Sequence, residues 1–355
     1  MSDIDRAKDV REGEELDIKA VSAYLQETVP EITQEVTVKQ FPSGYSNLTY
    51  LLQSGEKEYV LRRPPFGKKA KTAHDMGREY RMLSALCPVF PYCPRPIVNC
   101  EDESVIGAPF YVMERLEGII LRKDIPPGIS FSPSEAWQLC ENLVRVQYEL
   151  HSVDYKSIGL AGFGNPEGYV RRQVEGWSRR YRDARTPDAK DFEAVMSWLY
   201  EKMPPDTDSP CIIHNDYKFD NVVLDPNDPL TIIGVLDWEM STIGDPLMDL
   251  GSSLAYWVNH DDPDMLKMIR TLPTTEEGMM RRNDQVEYYA KLSGRTIDNF
   301  DFYLTFGLFR LAGIAQQIYY RYYHGQTKDE RFKMLIHAVN ILEGNAMNII
   351  QNSKL

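Results

Sequence analysis

Apolar positions along this chain recur in two rhythms. Alternating side chains make short strand-like runs from Glu35 to Phe41, Leu48 to Gln53 and Tyr59 to Arg62. Phe41-Pro-Ser-Gly44-Tyr-Ser46-Asn47 separates the first two and reads as a turn. In the third run the period of two puts Val60 and Arg62 on one face and turns Arg63 to the other, toward solvent. Phe110-Tyr-Val-Met113-Glu114 is another apolar strand, ending in polar residues and Gly118. Cys211 to Ile213, Asn221 to Leu224 and Thr231 to Leu236 are three more, the last two joined by the turn chemistry of Asp225-Pro-Asn-Asp-Pro229. Helical spacing governs other segments. Arg78 to Leu86 gathers Tyr80, Leu83 and Leu86 on one side, and Tyr169 to Arg182 is a basic, aromatic helix. Phe302 to Tyr320 is the most apolar late stretch, but Arg310, Gln316 and Gln317 make it too polar to span a membrane, and a buried helix is expected.

Between two of the short strands lies His214-Asn-Asp216-Tyr-Lys218-Phe-Asp-Asn221. His, Asp and Asn stand at the offsets of the catalytic loop H-R-D-L-x-x-x-N of protein kinases. Phosphoryl transfer asks little of a protein beyond positioning and charge neutralisation. Asp216 is placed to accept the proton of an attacking hydroxyl, and Lys218 to steady the transferring group. Asn221 and Asp237 are the candidate ligands of Mg²⁺, because the hairpin between them brings both to neighbouring strand ends. Ordinary turn residues beside buried strands would account for a lone His-x-Asp. They account less well for His, Asp, Asn, hairpin and second Asp in order. A P-loop is absent, since G-x-x-x-x-G-K-[ST] does not occur. Trp238-Glu239 follows Asp237 where a protein kinase has D-F-G, and no A-P-E segment follows, which argues against a protein substrate.

These residues resemble the aminoglycoside phosphotransferase and choline kinase-like family, relatives of protein kinases that phosphorylate small-molecule hydroxyls. His-Asn-Asp-Tyr-Lys-Phe-Asp-Asn and Leu236-Asp-Trp-Glu239 most resemble the kinase-like domain associated with acyl-CoA dehydrogenases. The pattern continues through Gly244-Asp245-Pro246 and Asp249-Leu250, and the resemblance runs from about Val36 into the C-terminal helices. It implies an α+β, protein-kinase-like bilobal fold. A flexible tail over 1–18 would precede a small β-rich N-lobe over 19–113, a hinge over 114–118 and a larger, mainly helical C-lobe over 119–355. It implies ATP and Mg²⁺ as cofactors. Ser46 and Asn47, in a turn with one glycine rather than three, would contact phosphates. Arg62 would stand in for the phosphate-binding lysine, a broad fork in place of a point charge. Glu79 would be its ion-pair partner, unless it is a solvated helix carboxylate. Val60 and Met113 would line the adenine pocket, and the main chain of Glu114 and Leu116 would bond the base edge. His214 completes the catalytic set.

Composition narrows the substrate class. The 355 residues are 43% hydrophobic and 26% charged, a globular balance. A net charge of −13 makes the chain a poor binder of nucleic acid or of an anionic membrane. Five cysteines show no C-x₂-C pair, which points to reduced thiols in a cytoplasmic protein, monomer or homodimer. Met1 to Asp17 lacks the apolar core of a secretory signal. Arg172, Gly176 and Arg179 or Arg180 form a basic stripe on one helix. That stripe is either an anion receptor or a solvated face paired with Glu175 and Asp183. It would repel a polycationic aminoglycoside. Arg172, Arg179, Arg310 and Glu239 are the candidate acceptor contacts, with Arg310 equally readable as a buried structural residue. His151 and His324 have no ligand-like companions and read as structural. The expected activity is ATP-dependent phosphorylation of an alcohol group on a hydroxy acid or hydroxyacyl-CoA. Its alternatives are an aminoglycoside kinase and a non-catalytic nucleotide-binding module; no catalytic residue is missing, which argues against the module.

Overall fold

The computed structural model describes residues 6–42, 47–66 and 75–355. In chain order the elements are α1 (Ile18–Thr28), β1 (Thr37–Gln40), β2 (Leu48–Ser54), β3 (Lys57–Arg63), α2 (Met76–Leu86), β4 (Pro96–Cys100) and β5 (Phe110–Glu114). They continue with α3 (Pro133–His151), α4 (Tyr169–Ala184), α5 (Glu193–Glu201), β6 (Cys211–Ile213), β7 (Val222–Leu224), β8 (Ile232–Val235) and β9 (Thr242–Gly244). Last come α6 (Pro246–Leu254), α7 (Asp264–Met268), α8 (Arg282–Ser293), α9 (Asp301–Tyr323) and α10 (Leu335–Asn352). The architecture is mixed α+β, with a sheet in the N-terminal region and helices dominating the C-terminal part. Among the described residues no helix is long and apolar enough to cross a membrane.

One compact unit comprises Met1–Ile120, Ile158–Leu160 and Asn221–Ser241. Its five strands form an antiparallel sheet in the order β1-β2-β3-β5-β4. Strand alternation sorts the side chains onto two faces. Leu48, Tyr50, Leu52, Tyr59, Leu61, Phe110 and Val112 build one core with Val21 and Leu25 of α1. Leu51, Val60 and Met113 stand opposite one another on the other face, as do Thr49, Arg62 and Tyr111. Helix α2 lies on this second face, with Tyr80 edge-on to Tyr111 at 6.3 Å. Residues ahead of α1 are tied to the sheet: Lys8 and Gln40 exchange two backbone hydrogen bonds of 2.8 Å, and Tyr50 donates to the Glu14 carbonyl at 2.7 Å.

Two local expectations change. Arg63 is buried rather than solvated, because both faces of the sheet are covered; its guanidinium group donates to the carbonyls of Pro64 and Ile106 and lies 3.7 Å from the centre of the Phe66 ring. The buried face of α2 is Met76, Glu79, Met82, Leu83 and Leu86, with Tyr80 only half-buried. A carboxylate occupies that apolar face because Arg62 awaits it there.

β7 and β8 form the expected hairpin. Its turn is held by Asn227 N–H to Asp225 Oδ1 at 2.7 Å and Thr231 Oγ1 to Asp228 Oδ2 at 2.6 Å. Leu224 exchanges two backbone bonds with Ile119, of 2.9 and 2.8 Å. That approach needs Gly118, where a Cβ would stand 2.4 Å from the Leu224 carbonyl oxygen.

The second unit comprises Leu121–Ser157, Ala161–Asp220 and Thr242–Leu355. Long α9 is its axis, packed by α4, α6 and α10. α6 and α9 meet backbone to backbone: a Cβ on Gly307 would lie 2.2 Å from the Gly251 carbonyl oxygen, and one on Gly251 would lie 2.3 Å from that of Tyr303. Short β6 pairs with β9, leading the chain into the His214 loop on one side and into α6 on the other. Asp245 caps α6 by accepting from Leu247 N–H at 2.7 Å, with Pro246 at the first helical position. All five cysteines are free thiols.

Candidate active site

In the second unit the loop after β6 is built around a buried carboxylate. Asp249, fully buried on α6, accepts from the backbone N–H of His214 at 3.2 Å and of Asn215 at 2.5 Å. It also bonds Gln147 Nε2 at 3.1 Å and His151 Nε2 at 3.0 Å. Burial pushes its carboxyl up, but the hydrogen bond and charge of His151, with His214 and Gln147, outweigh this and hold it below the usual carboxylate range. Asn215 is left-handed, φ 65°, a strained conformation that Asn tolerates better than most residues. His214 is buried, and its Nδ1 accepts from the Asp216 N–H at 3.2 Å, which ties it to the turn that carries Asp216. Tyr217 anchors the loop by donating to the Leu143 carbonyl at 2.8 Å.

On this frame Lys218 Nζ is hydrogen-bonded to Asp216 Oδ2, lies 3.6 Å from Asp220 Oδ1 and 4.5 Å from the centre of the Tyr256 ring. Burial works to neutralise the ammonium, but Tyr256, Asp216 and Asp220 more than reverse this and raise it above the ordinary lysine range. Lys218 is therefore a permanent cation beside the Asp216 carboxylate. A carboxylate beside a fixed cation suits proton acceptance from a hydroxyl next to a developing phosphoryl charge.

In the first unit Arg62 is the hub. It reaches Glu79 at 2.9 Å, Asp237 at 2.8 Å and Glu239 at 3.4 Å, and Asn47 Nδ2 donates to Glu239 at 2.6 Å. Burial alone would lower the Arg62 guanidinium, but Glu79 and Asp237 hold it well above its usual range. Burial likewise pushes the Glu79 carboxyl up against the opposing pull of Arg62. Glu79 is thus a buried ion-pair partner, not a solvated carboxylate. Arg62 Nε, also buried, has no hydrogen-bond partner among the described residues, an unspent donor of the kind phosphate oxygens satisfy. Asn221 and Asp237 flank the hairpin ends: Leu236 N–H donates to the Asn221 carbonyl at 2.8 Å, one residue before Asp237. Asp237 is left-handed, φ 67°. Ser46 lies outside the described residues.

Val60 and Met113 are cross-strand neighbours. Glu114 is held by Arg95, whose backbone N–H donates to its carboxylate at 2.7 Å and whose carbonyl accepts its N–H at 2.9 Å. The Leu116 side chain lies over Gly234, where a Cβ would come within 2.3 Å of it. Among the described residues no cluster of three or more His, Cys, Asp or Glu side chains makes a metal cage. One carboxylate and one amide nevertheless fit Mg²⁺, which keeps several waters and takes other ligands from nucleotide phosphates.

The acceptor candidates separate. Glu239 belongs with Arg62 and Asn47. Exposed Arg172 donates to the carbonyls of Glu167 and Asn165, tying down the loop ahead of α4. Arg179 is exposed on the polar face of α4. Neighbouring charges on that face are already engaged, Arg171 with Glu175 at 3.7 Å and Arg182 with Glu193 at 2.6 Å. Arg310 is buried, 5.4 Å from the centre of the Trp177 ring. His151 is structural, as its sequence context suggested, through its bond to Asp249; sequence reasoning missed the bracing role of Gln147 and the position of Tyr256, neither of which carries a spacing signal, because each meets the loop across the fold.

A profile of the phosphotransferase enzyme family (APH) matches residues 37–281. Acyl-CoA dehydrogenase family member 11 of Rattus norvegicus is 35% identical over 324 residues, covering 88% of this chain and 41% of that protein. Acyl-CoA dehydrogenase family member 10 of Mus musculus is 35% identical over 297 residues, covering 83% of this chain and 27% of that protein. The chain therefore spans well under half the length of these relatives. Among solved structures, a candidate aminoglycoside phosphotransferase from Ralstonia eutropha superimposes with a TM-score of 0.77 and 32% identity, covering 94% of this chain and 99% of the other. Choline kinase from Cryptosporidium parvum has a TM-score of 0.61 at 14% identity, covering 94% and 96%, a likeness of fold alone. By profile, by sequence and by fold, the chain belongs to the phosphotransferase enzyme family.

Proposed function

We propose that this chain is an ATP-dependent small-molecule kinase whose acceptor is an alcohol group on a hydroxy acid or a hydroxyacyl-CoA thioester. The observation that carries the reading is the Asp216–Lys218 pair, set in a strained loop whose backbone is fixed by buried Asp249. Such preorganisation is costly and is found where chemistry uses it. In the proposed step the acceptor oxygen forms a bond to the γ-phosphorus of ATP as the bond from that phosphorus to the bridging oxygen breaks. Asp216 takes the hydroxyl proton, and ADP leaves with the electron pair. Lys218 stays protonated and faces the charge of the transferring group. Arg62, held by Glu79, would bind nucleotide phosphates. Asn221 and Asp237 would hold Mg²⁺, whose contribution when bound is to neutralise phosphate charge. Support for an acyl acceptor comes from the relatives named as acyl-CoA dehydrogenases, which this chain matches over most of its own length.

The test follows ADP release with Mg-ATP and a panel of hydroxy acids, hydroxyacyl-CoA thioesters, choline, sugars and aminoglycosides. Stimulation by an acid or thioester is expected, falling about a hundredfold or more in Asp216→Ala while nucleotide binding persists. Unchanged turnover in that variant removes Asp216 from the chemistry. Tight Mg-ATP binding with silence across the panel turns the reading toward a nucleotide-binding module.

A further inference from the structure

Helix α8 buries two side chains, Gln285 and Tyr289, and both are polar. One turn apart, they share a face of the helix. A helix at the surface of a folded unit ordinarily docks through an apolar stripe. The docking face of α8 instead carries an amide and a phenol, and buried polar groups need partners. Tyr289 has one. Its hydroxyl lies 2.8 Å from His151 Nδ1, and His151 in turn bonds the Asp249 carboxylate that fixes the backbone of His214 and Asn215. Gln285 is 2% exposed, and its Nε2 meets no acceptor among the described residues.

What Gln285 does border is a small cavity. Gln147, Tyr217, Lys218, Ser253 and Trp257 line it together with Gln285, and its volume is about 10 Å³. Room of about 10–15 Å³ is what a single water needs, and it is too little for any larger ligand. A buried water also needs two to four polar partners. Gln285 Nε2 offers one. Ser253 Oγ offers a second, since it accepts from Gln147 Nε2 at 3.1 Å and has its own hydroxyl proton to give. The cavity borders the catalytic loop, because Tyr217 and Lys218 are the two residues after Asp216. One of its walls is therefore the side chain paired with the Asp216 carboxylate. A dry gap there would leave Lys218 without packing partners on that side.

We propose that Gln285 is a positioning residue of the catalytic loop, acting through one internal water that bridges its Nε2 to Ser253 Oγ and backs Lys218. Helix α8 then braces the loop twice, by Tyr289 through His151 and Asp249, and by Gln285 through the water. Gln285 touches no reacting atom. The bridge rests on the cavity and its polar lining; its effect on phosphoryl transfer rests on the kinase reading above.

Crystal structures of the full chain, at a resolution that shows internal waters, test the bridge directly. One water within hydrogen-bond distance of Gln285 Nε2 and Ser253 Oγ is expected in the wild type. None is expected there in Gln285→Met, which keeps the length of the side chain and removes its donor. Kinetics test what the bridge does. With an acceptor that supports ADP release, Gln285→Met and Ser253→Ala should each lower kcat about tenfold and leave KM for Mg-ATP within about twofold, as expected of a catalytic group slightly misplaced. The double variant should be no slower than the slower single one, because both changes remove the same bridge. Melting temperatures separate lost positioning from lost folding, and Ser253→Ala, the smaller change, carries the test if Gln285→Met does not fold. A wild type without the water, kcat unchanged in both single variants, or losses that multiply in the double variant overturns the proposal. Failure of the kinase reading looks different. The water would be present, the melting temperatures of the three variants would show the same non-additivity, and no acceptor would support ADP release. Turnover by a protein that lacks the water does the reverse.

Discussion

Asn215 and Asp237 adopt left-handed backbone conformations, and each stands in a motif from which chemistry is expected. A non-glycine residue pays for such a conformation, so something must hold it. For Asn215 the holder is Asp249, which bonds two consecutive backbone N–H groups of the loop and two side chains behind it. Asp249→Asn replaces an acceptor by a group that is half donor, facing donors on every side. A loss of about 3 kcal/mol or more in stability is expected, along with most of the activity. The pH dependence has a definite sign. The folded carboxyl lies below its unfolded value of about 3.9, so its contribution is whole above that pH and fades as pH falls through the folded value. Melting temperatures measured from about pH 7 to about pH 3 should show wild type and variant converging only on the acid side, below about pH 4. A constant gap down to the lowest pH would mean that the Asp249 charge is not what stabilises the loop. The sequence showed Asp216, Lys218 and Asn221 through their spacing. It could not show Asp249 at work, because its partners lie 34 and 35 residues away and at the end of another helix.

Elements carry these residues only as well as they pack against each other. α6, which bears Asp249, meets α9 through Gly251 and Gly307 with no room for a methyl group on either. Gly307→Ala would gain in helix propensity and lose more in overpacking, since the obstacle is backbone and not a side chain that can swing away. A net destabilisation of about 1–3 kcal/mol is expected, with kcat falling further than stability predicts because Asp249 shifts with α6. Retention of full kcat at reduced stability would show that the loop tolerates movement of α6. Legibility differed between elements for the same physical reason. The β7–β8 hairpin could be read from the chain because Asp225 to Thr231 close it with bonds among themselves. Its strands were overread by one residue at Asn221, Thr231 and Leu236, although Leu236 N–H still donates to the Asn221 carbonyl. Arg63 was placed in solvent because alternation names two faces without saying whether one or both are covered. The close helix contact at Gly251 and Gly307 leaves no mark in periodicity, for a glycine inside a helical run announces only that something is near.

The whole molecule contributes a field. With 53 acidic and 40 basic side chains, the chain carries a net charge of −13. An anionic acceptor of the proposed kind would therefore approach a repelling protein before it reached the Asp216–Lys218 pair at close range. The two interactions respond differently to salt. Long-range repulsion acts through solvent and is screened as the Debye length contracts from about 30 Å at 0.01 M to about 10 Å at 0.1 M ionic strength. A contact with the largely buried Lys218 ammonium would be screened far less, because little solvent would lie between the charges. At saturating Mg-ATP, kcat/KM for a hydroxy acid or its CoA thioester should thus rise a few-fold over this range, through association and not through kcat. The neutral amide of the same hydroxy acid should show a flat profile, and a polycationic aminoglycoside, drawn in by the same field, should show a falling one. A falling profile for the anionic acceptor would mean that the field where it binds is positive well beyond Lys218. The acidic excess would then have to lie away from the route of entry, and bulk charge would say nothing about substrate selection.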